Sequence, residues 1–158
     1  MNQLEIDQVG MDLAATITRD AQCKSRQIGA VIMFGTRVVA TGVNGAVALP
    51  PCDSCPRQAS ASGADLHLCP AIHAEVNAIA CAARRCQQTM GATMYVTCGV
   101  PCKDCLNAIV AAGITRVVCR DNTDYYDTIS RAMVSQGMLQ VETYHLNREN
   151  YSGIPEVK

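Results

Sequence analysis

Four residues in two short segments have the types and spacing to act together on a metal ion. His73 and Glu75 belong to the string His-Ala-Glu, and Cys102 and Cys105 form a Cys-x-x-Cys pair directly after Pro101. Two cysteines three residues apart share one face of a helix, and a helix N-terminus favours the ligating thiolate. With His73 as a third ligand, one tetrahedral position stays open for water, which is typical of catalytic zinc.

Glu75 adds an acid–base group to this set. In the first turn of a helix, His73 and Glu75 can both point off the helix end into one pocket, where a carboxylate can move protons between water and a leaving group. Taken singly, the motifs have ordinary alternatives. A Cys-x-x-Cys pair can be a redox pair or half of a structural zinc site, and a lone histidine can be a core residue. Together they match the zinc deaminase signature, His-x-Glu followed by Pro-Cys-x-x-Cys.

Alternating helix and strand patterns predict the elements that position these segments. Hydrophobic periodicity and turn residues predict helices over 9–22, 71–86, 102–112 and 125–136, and strands over 28–34, 37–43, 92–97, 115–119 and 139–144. The helix over 71–86 is apolar nearly all round and is therefore predicted to be buried. This order predicts an α/β sandwich with an antiparallel hairpin at the front and a parallel part where helices cross over.

Composition limits the classes of protein that remain. The 158 residues have a mass of 16.9 kDa and predict one domain over 1–158, with a Cys- and Pro-rich loop over 46–70 and a loose polar tail over 146–158. The net charge of -1, the absence of Trp and the few aromatics argue against a long nucleic acid as partner. No apolar run approaches the roughly 18 residues of a membrane span.

The interpretation of the ten cysteines depends on the compartment, since in a secreted chain they would suggest a disulfide framework. Residues 1–10 include acidic side chains and no apolar stretch of the kind that marks an export signal, so we expect a cytoplasmic protein whose cysteines are thiols and metal ligands. A disulfide-rich exported protein is the weaker alternative.

Beyond the zinc motifs, the chain resembles the cytidine deaminase superfamily and, within it, the deoxycytidylate (dCMP) deaminases. The matching strings are Cys-Lys-Ser-Arg-Gln-Ile-Gly-Ala-Val (23–31), Thr-Gly-Val-Asn-Gly (41–45), Leu-Pro-Pro-Cys (49–52), Cys-Pro-Ala-Ile-His-Ala-Glu (69–75) and Ala-Thr-Met-Tyr-Val-Thr (92–97), which leads to Pro101 and Cys102. There are two departures. Val43 stands where the family often has an aromatic residue, and three residues separate Thr97 from Pro101, one more than in the usual pattern.

This resemblance implies a three-layer α/β/α sandwich with a mixed five-stranded sheet. It also implies zinc-dependent hydrolysis of dCMP to dUMP and ammonia, which supplies thymidylate synthesis. Zinc is held by His73, Cys102 and Cys105, and Glu75 protonates N3 of the base and then passes a proton to the departing ammonia.

Substrate contacts are predicted less specifically. By resemblance Asn44 contacts the sugar, although a plain turn residue is the alternative. Ser25 and Arg26 open the first strand and are candidates for the 5′-phosphate, because an Arg fork suits phosphate oxygens, with an exposed surface pair as the alternative. Tyr125 is a candidate to close the pocket, against the alternative of an ordinary helix tyrosine.

Other cysteines suggest a second, structural zinc that would pin the long loop. Its predicted ligands are Cys23, Cys52, Cys55 and Cys69, with His67 as a possible substitute, and reduced loop cysteines are the alternative. The remaining four are predicted to be small core residues: Cys81, Cys86, Cys98 and Cys119.

The resemblance further implies regulation by dCTP as activator and dTTP as inhibitor, each with Mg²⁺, in a homohexamer. Asn44 and Gly45 would lie close to the effector site. Three alternatives stay open: a deaminase of dCTP or of free cytidine, an editor of tRNA or single strands, and a non-enzymatic module that zinc only staples.

Overall fold

Five strands form one mixed sheet in the computed structural model, which describes residues 1–61, 64–120 and 128–144. In chain order they are β1 (Gly29–Phe34), β2 (Arg37–Val43), β5 (Thr93–Val96), β6 (Arg116–Arg120) and β7 (Gln140–Tyr144). Two further short strands, β3 (Gly45–Ala46) and β4 (Ala71–Ile72), pair antiparallel in a ladder of their own. The order across the main sheet is β2-β1-β5-β6-β7, which confirms the predicted mixed five-stranded sheet.

Helices cover both faces of this sheet. They are α1 (Gln3–Ile17), α2 (Ala74–Arg84), α3 (Lys103–Ala111) and α4 (Thr128–Ser135). On one face, α1 buries Met11 and Ala14 against Val31, Tyr95 and Val118. On the other face, apolar residues of α2, α3 and α4 pack against β1, β5 and β6. The protein is therefore the three-layer α/β/α sandwich that the resemblance implies.

Chain connections determine the strand directions. Gly35, at φ 52°, makes the tight turn that pairs β1 with β2 antiparallel. β1 also pairs antiparallel with β5. The β5–β6 and β6–β7 pairs are parallel, since α3 and α4 carry the chain back across the sheet. As a result, β1 begins at the edge of the sheet where β2, β5 and β6 end.

α1 begins earlier than its apolar pattern predicts, at Gln3 rather than residue 9. Asn2 caps this helix. Its side-chain oxygen accepts from the Glu5 amide at 3.0 Å, and the Glu5 carboxylate accepts from the Asn2 amide at 2.7 Å. Such a capping box satisfies two amides that would otherwise lack partners, so a polar first turn is stable without burial.

α2 begins later than predicted, at Ala74, because Ala71 and Ile72 form a strand. The prediction that this helix is buried all round was wrong. Only one face is buried, formed by Ala74, Glu75, Ala78 and Ala82, and the C-terminal Arg84 is exposed. Alanine covers the helix on several sides, and a residue so small carries little information about which side faces the core.

A four-residue polar cluster anchors α1 to the sheet. Asp7, which is 4% exposed, accepts two hydrogen bonds of 2.7 Å from Arg116 and one of 2.9 Å from the Tyr95 hydroxyl. Arg116 also pairs with Glu142. Burial raises the pKa of Asp7, but the bonds from Arg116, Gln3 and Tyr95 outweigh it and leave this pKa lowered. The Asp7 carboxylate is thus ionised, and its hydrogen bonds hold α1 to the sheet.

Some predictions fall outside the described residues. Tyr125 and the tail over 146–158 are among them, and the predicted helix over 125–136 is described only as Thr128–Ser135. Within the described ranges, no helix combines the length and apolar character needed to cross a bilayer.

Close contact between α2 and β2 depends on Gly42. A Cβ built on this residue would lie 2.3 Å from the backbone nitrogen of Ala78 and 2.4 Å from the backbone oxygen of Ala74. Both atoms belong to the helix backbone, which cannot move without moving the whole helix. A side chain at position 42 would therefore push α2 off the sheet.

We expect Gly42→Ala to lower the free energy of unfolding by at least about 2 kcal/mol, as overpacked core substitutions do. Urea denaturation followed by circular dichroism measures the change. Gly35→Ala is the matched control. It adds the same methyl group where nothing lies within 4 Å, so only the left-handed backbone cost of about 1 kcal/mol applies. Equal losses in the two variants would contradict this account of Gly42.

Candidate metal centre and active site

Two helices begin at the same place, and their first residues carry the candidate ligands. His73 is the N-cap of α2, Cys102 is the N-cap of α3, and Cys105 lies in the first turn of α3. Both N-cap residues have extended backbone, and neither side chain makes a capping hydrogen bond. The imidazole and the first thiol are therefore available for another partner.

The distances between these three side chains fit a single zinc ion. Nδ1 of His73 lies 3.2 Å from Sγ of Cys105 and 3.6 Å from Sγ of Cys102, and all three ligand atoms lie within 4.8 Å of one another. Zn–N and Zn–S bonds of about 2.1 and 2.3 Å in a tetrahedron space N and S roughly 3.6 Å apart. One nitrogen and two sulfurs are also ligands that zinc prefers. The set supplies three ligands and leaves a fourth position.

Charge is distributed unevenly between the two thiols. Hydrogen bonds from Cys105 and His73 lower the pKa of Cys102 to about 4, in spite of its partial burial. The pKa of Cys105 is raised, because its thiol donates to Cys102 and is buried. The bond with Cys102 also raises the pKa of His73. Cys102 is thus a thiolate already, and a metal ion would displace the proton that Cys105 holds.

Glu75 lies beside the ligands but is not one of them. Its side chain is 3% exposed, and burial raises its pKa. The single thiol proton of Cys105 is shared between Cys102 and Glu75, and Cys98 donates to Oε1 of Glu75 over 3.7 Å. Burial also raises the pKa of Cys98, which therefore stays a protonated donor. A buried carboxyl group with a raised pKa can both take up and release a proton near neutral pH.

Backbone contacts hold the strand ends around this pocket. Thr97 accepts from the Gly29 amide through Oγ1 at 3.0 Å, and its own amide donates to the Gly29 carbonyl at 3.0 Å. Asn77 of α2 donates to the Val43 carbonyl at 2.8 Å. Sequence reasoning missed these roles, and only the string Val-Thr at the end of a predicted strand gave any signal for Thr97.

The predicted substrate residues lie along the same edge. The Asn44 amide links two backbone positions, accepting from the Ile28 amide at 2.8 Å and donating to the Arg26 carbonyl at 2.7 Å. Ser25 is exposed and Arg26 is half-buried. The positive charge of Arg26 acts to lower the pKa of the Cys98 thiol, although burial outweighs it.

The structure does not gather the four cysteines of the predicted second zinc site. In the described ranges, one group of three or more candidate ligands lies within 4.8 Å, and that group is His73, Cys102 and Cys105. Cys23, Cys52, Cys55 and Cys69 are half-buried free thiols, and His67 is exposed.

The four cysteines predicted as core residues differ in their surroundings. The prediction was wrong for Cys86, which is exposed and has a φ of 53°. Cys119 is buried as expected, and Cys81 and Cys98 are half-buried. No disulfide joins any of the ten cysteines, all of which lie in described ranges.

Sequence comparisons match this chain to a known protein family. A family model described as the cytidine and deoxycytidylate deaminase zinc-binding region matches residues 4–121. A deoxycytidylate deaminase of Mycobacterium phage D29 is 38% identical over 128 residues, which cover 75% of this chain and 96% of that protein. A deoxycytidylate deaminase of Saccharomyces cerevisiae is 39% identical over 116 residues, or 71% of this chain, but the match spans only 36% of the yeast protein.

A solved structure shares the architecture. The dCMP deaminase of cyanophage S-TIM5, crystallised in complex with dCMP and dUMP, superposes with a TM-score of 0.73 at 25% identity. The superposition covers 91% of this chain and 99% of that one.

We expect replacement of Cys105 by serine to remove one zinc ion per chain, because a serine hydroxyl is a far poorer zinc ligand than a thiolate. Metal analysis of the purified protein by mass spectrometry gives the count. Cys86→Ser is the matched control, since Cys86 is exposed and lies outside the three-ligand group. Zinc retained at wild-type level in Cys105→Ser would contradict the assignment of this ligand.

Proposed function

Because the chain belongs to the cytidine and deoxycytidylate deaminase family, we propose that it hydrolyses dCMP to dUMP and ammonia. The observation that carries this proposal is the buried Glu75 beside the ligands His73, Cys102 and Cys105. A structural zinc module needs its metal enclosed by ligands and has no use for a buried carboxylate next to an open position. The position of Glu75 therefore favours an enzyme over a zinc-stapled module.

A zinc ion bound by the three ligands supplies Lewis acidity, which lowers the pKa of water to near 7 and makes it a nucleophile. Glu75 takes a proton from this water as the oxygen adds to C4 of cytosine, and delivers it to N3. The carboxyl group then moves the remaining proton of that oxygen to the 4-amino group. The C4–N bond breaks with loss of ammonia, C4 becomes a carbonyl, and the sum is dCMP plus water giving dUMP plus ammonia.

Burial suits Glu75 to this exchange. A carboxyl group of ordinary acidity holds a proton poorly at neutral pH, whereas desolvation raises the pKa of Glu75 and brings it closer to that of a zinc-bound water. Because Glu75 is in the first turn of α2, next to the N-cap His73, its distance from the metal ligands is set by helix geometry. No loop movement is needed to bring acid and metal together.

Recognition of the nucleotide is assigned to the edge where β1 begins. Arg26, with Ser25, is proposed to bind the 5′-phosphate, and Asn44 to contact the sugar. The charge of Arg26 acts on the pocket, which supports a phosphate there. Each polar end of the Asn44 amide makes one backbone bond and retains a second hydrogen or lone pair for a ligand. A preference for dCTP or free cytidine is the alternative, and comparison of kcat/KM for the three compounds separates them.

Regulation and assembly are proposed on the resemblance alone. Activation by dCTP and inhibition by dTTP, each with Mg²⁺, would act in a homohexamer through a site near Asn44 and Gly45, and the dUMP would serve thymidylate synthesis in the cytoplasm. A second, structural zinc on Cys23, Cys52, Cys55 and Cys69 is proposed likewise. Two zinc ions per chain, falling to one in Cys52→Ser, would support it.

We expect Glu75→Gln to lower kcat for dCMP by about 10²-fold or more, the usual range for loss of a general acid–base group. The amide has the size of the carboxyl group but cannot carry the proton. Ultraviolet absorbance follows the conversion of cytosine to uracil, and metal analysis is expected to show wild-type zinc. The matched control is Glu5→Gln, the same change at an exposed residue of α1. Near-normal turnover by Glu75→Gln would refute the mechanism.

We expect the saturation curve for dCMP to be sigmoidal, to become hyperbolic with dCTP and Mg²⁺, and to shift to higher dCMP concentrations with dTTP and Mg²⁺. Initial rates over a range of dCMP concentrations measure all three curves. Hyperbolic curves that neither triphosphate changes would remove the regulatory part of the proposal and leave the deaminase intact.

A further inference from the structure

A cysteine outside the metal site contacts the proposed acid–base group. Cys98 follows Thr97 in the segment between β5 and α3. Its thiol donates to Oε1 of Glu75 over 3.7 Å. Sulfur is large and a weak donor, so this length is ordinary for an S–H···O contact.

The backbone on both sides of Cys98 is fixed. Its carbonyl accepts from the Arg120 amide at 2.9 Å, at the end of β6. The preceding Thr97 is joined to Gly29 by the two bonds of 3.0 Å described above. The thiol thus approaches Glu75 from a rigid part of the sheet edge.

Metal binding removes the proton that Cys105 can donate to Glu75 but leaves the proton of Cys98. Cys105 has one thiol proton, which is shared between Cys102 and Glu75 in the metal-free arrangement. As a zinc ligand it is a thiolate and has no proton to donate. The carboxylate then keeps the bond from its own backbone amide, and Cys98 is the side-chain donor that remains among its described contacts.

A side-chain donor on one oxygen matters because a carboxylate has two equivalent oxygens. The terminal torsion of a glutamate side chain is broad and roughly two-fold, so packing alone selects its orientation poorly. A hydrogen bond from Cys98 to Oε1 selects one orientation of the Glu75 carboxylate. In that orientation Oε2 faces the water and the base.

We propose that Cys98 is a positioning residue, whose thiol holds Oε1 of Glu75 and so directs the other oxygen at the reacting groups. This inference rests on the proposed deaminase function. Cys98 touches neither metal nor substrate in this account and acts only through Glu75.

Three substitutions separate a hydrogen-bonding role from packing. Cys98→Val fills a similar volume but cannot donate, Cys98→Ala removes both volume and donor, and Cys98→Ser keeps a donor. We expect Val and Ala to lower kcat for dCMP about three- to tenfold, the size suited to a weak donor, with KM within twofold of wild type. We expect Ser to keep kcat within twofold of wild type. Cys81→Ala, at a half-buried cysteine of α2, is the control and is expected to match wild type.

A role in packing alone gives a different result. In that case Cys98→Val keeps the wild-type kcat, or Cys98→Ser loses as much kcat as Cys98→Ala. Either outcome overturns the proposal. Thermal unfolding of each variant shows which of them fold, and zinc content shows which are loaded. If Cys98→Val and Cys98→Ala fail to fold, the comparison of Cys98→Ser with wild type still tests the proposal. A loss of kcat of more than tenfold in a folded, zinc-loaded Cys98→Ser variant overturns it.

A spectroscopic readout tests the contact without any turnover. The S–H stretch absorbs in a window free of other protein bands, and subtracting the Cys98→Ala spectrum from wild type isolates the band of Cys98. Repeating the subtraction in a Glu75→Ala background removes the acceptor, and we expect the band to move to higher wavenumber. An unchanged band would overturn the proposal. If wild type deaminates no cytosine nucleotide, the proposed function fails, whereas the infrared comparison still decides the contact.

Discussion

The site depends on two helices starting at one point beyond the sheet. His73 is the N-cap of α2 and Cys102 is the N-cap of α3. The imidazole Nδ1 and the Cys102 sulfur lie 3.6 Å apart, although the two residues are 29 positions apart in sequence. The sheet enforces this meeting. β1 begins where β2 and β5 end, so the segments that lead into both helices leave the sheet from the same edge. Gly42 allows α2 to approach closely, and the Thr97–Gly29 bonds keep the end of β5 in register with the start of β1.

The two faces of the sheet place carboxyl groups in different environments. On the α1 face, the charged groups Asp7, Arg116 and Glu142 satisfy one another, and this cluster holds helix to sheet. On the opposite face, Glu75 is buried beside a histidine and several thiols, and no arginine or lysine neutralises it among its described contacts. The same kind of side chain is therefore acidic in one layer and holds its proton more tightly in the other. Burial acts to raise the pKa of both Asp7 and Glu75. Asp7 differs because the hydrogen bonds from Arg116 outweigh burial and lower its pKa.

The sequence was most informative where chemistry or alternation constrains residue type. The His-x-Glu and Pro-Cys-x-x-Cys strings predicted the residues that the structure brings together, and alternating patterns predicted the strands of the sheet. Helix ends were missed where a cap replaces an apolar residue, as at Asn2, or where alanine hides which side is buried, as in α2. The contact of Cys98 with Glu75 was not predictable, because it depends on how two remote segments pack. Cysteine is also compatible with a core, a ligand or a donor, as the exposed Cys86 illustrates.

The bonds between Thr97 and Gly29 join residues 68 positions apart, at the point where the pocket is formed. Contacts so distant in sequence close late in folding, because the loop between them must be brought together first. The first hairpin can form while the chain is still being synthesised, but the metal ligands stay apart until α3 has emerged and β5 has inserted beside β1. Zinc binding at this site therefore requires that β5 and α3 are both in place. A chain that ends before β5 keeps His73 but lacks Cys102 and Cys105, so it cannot complete the three-ligand group.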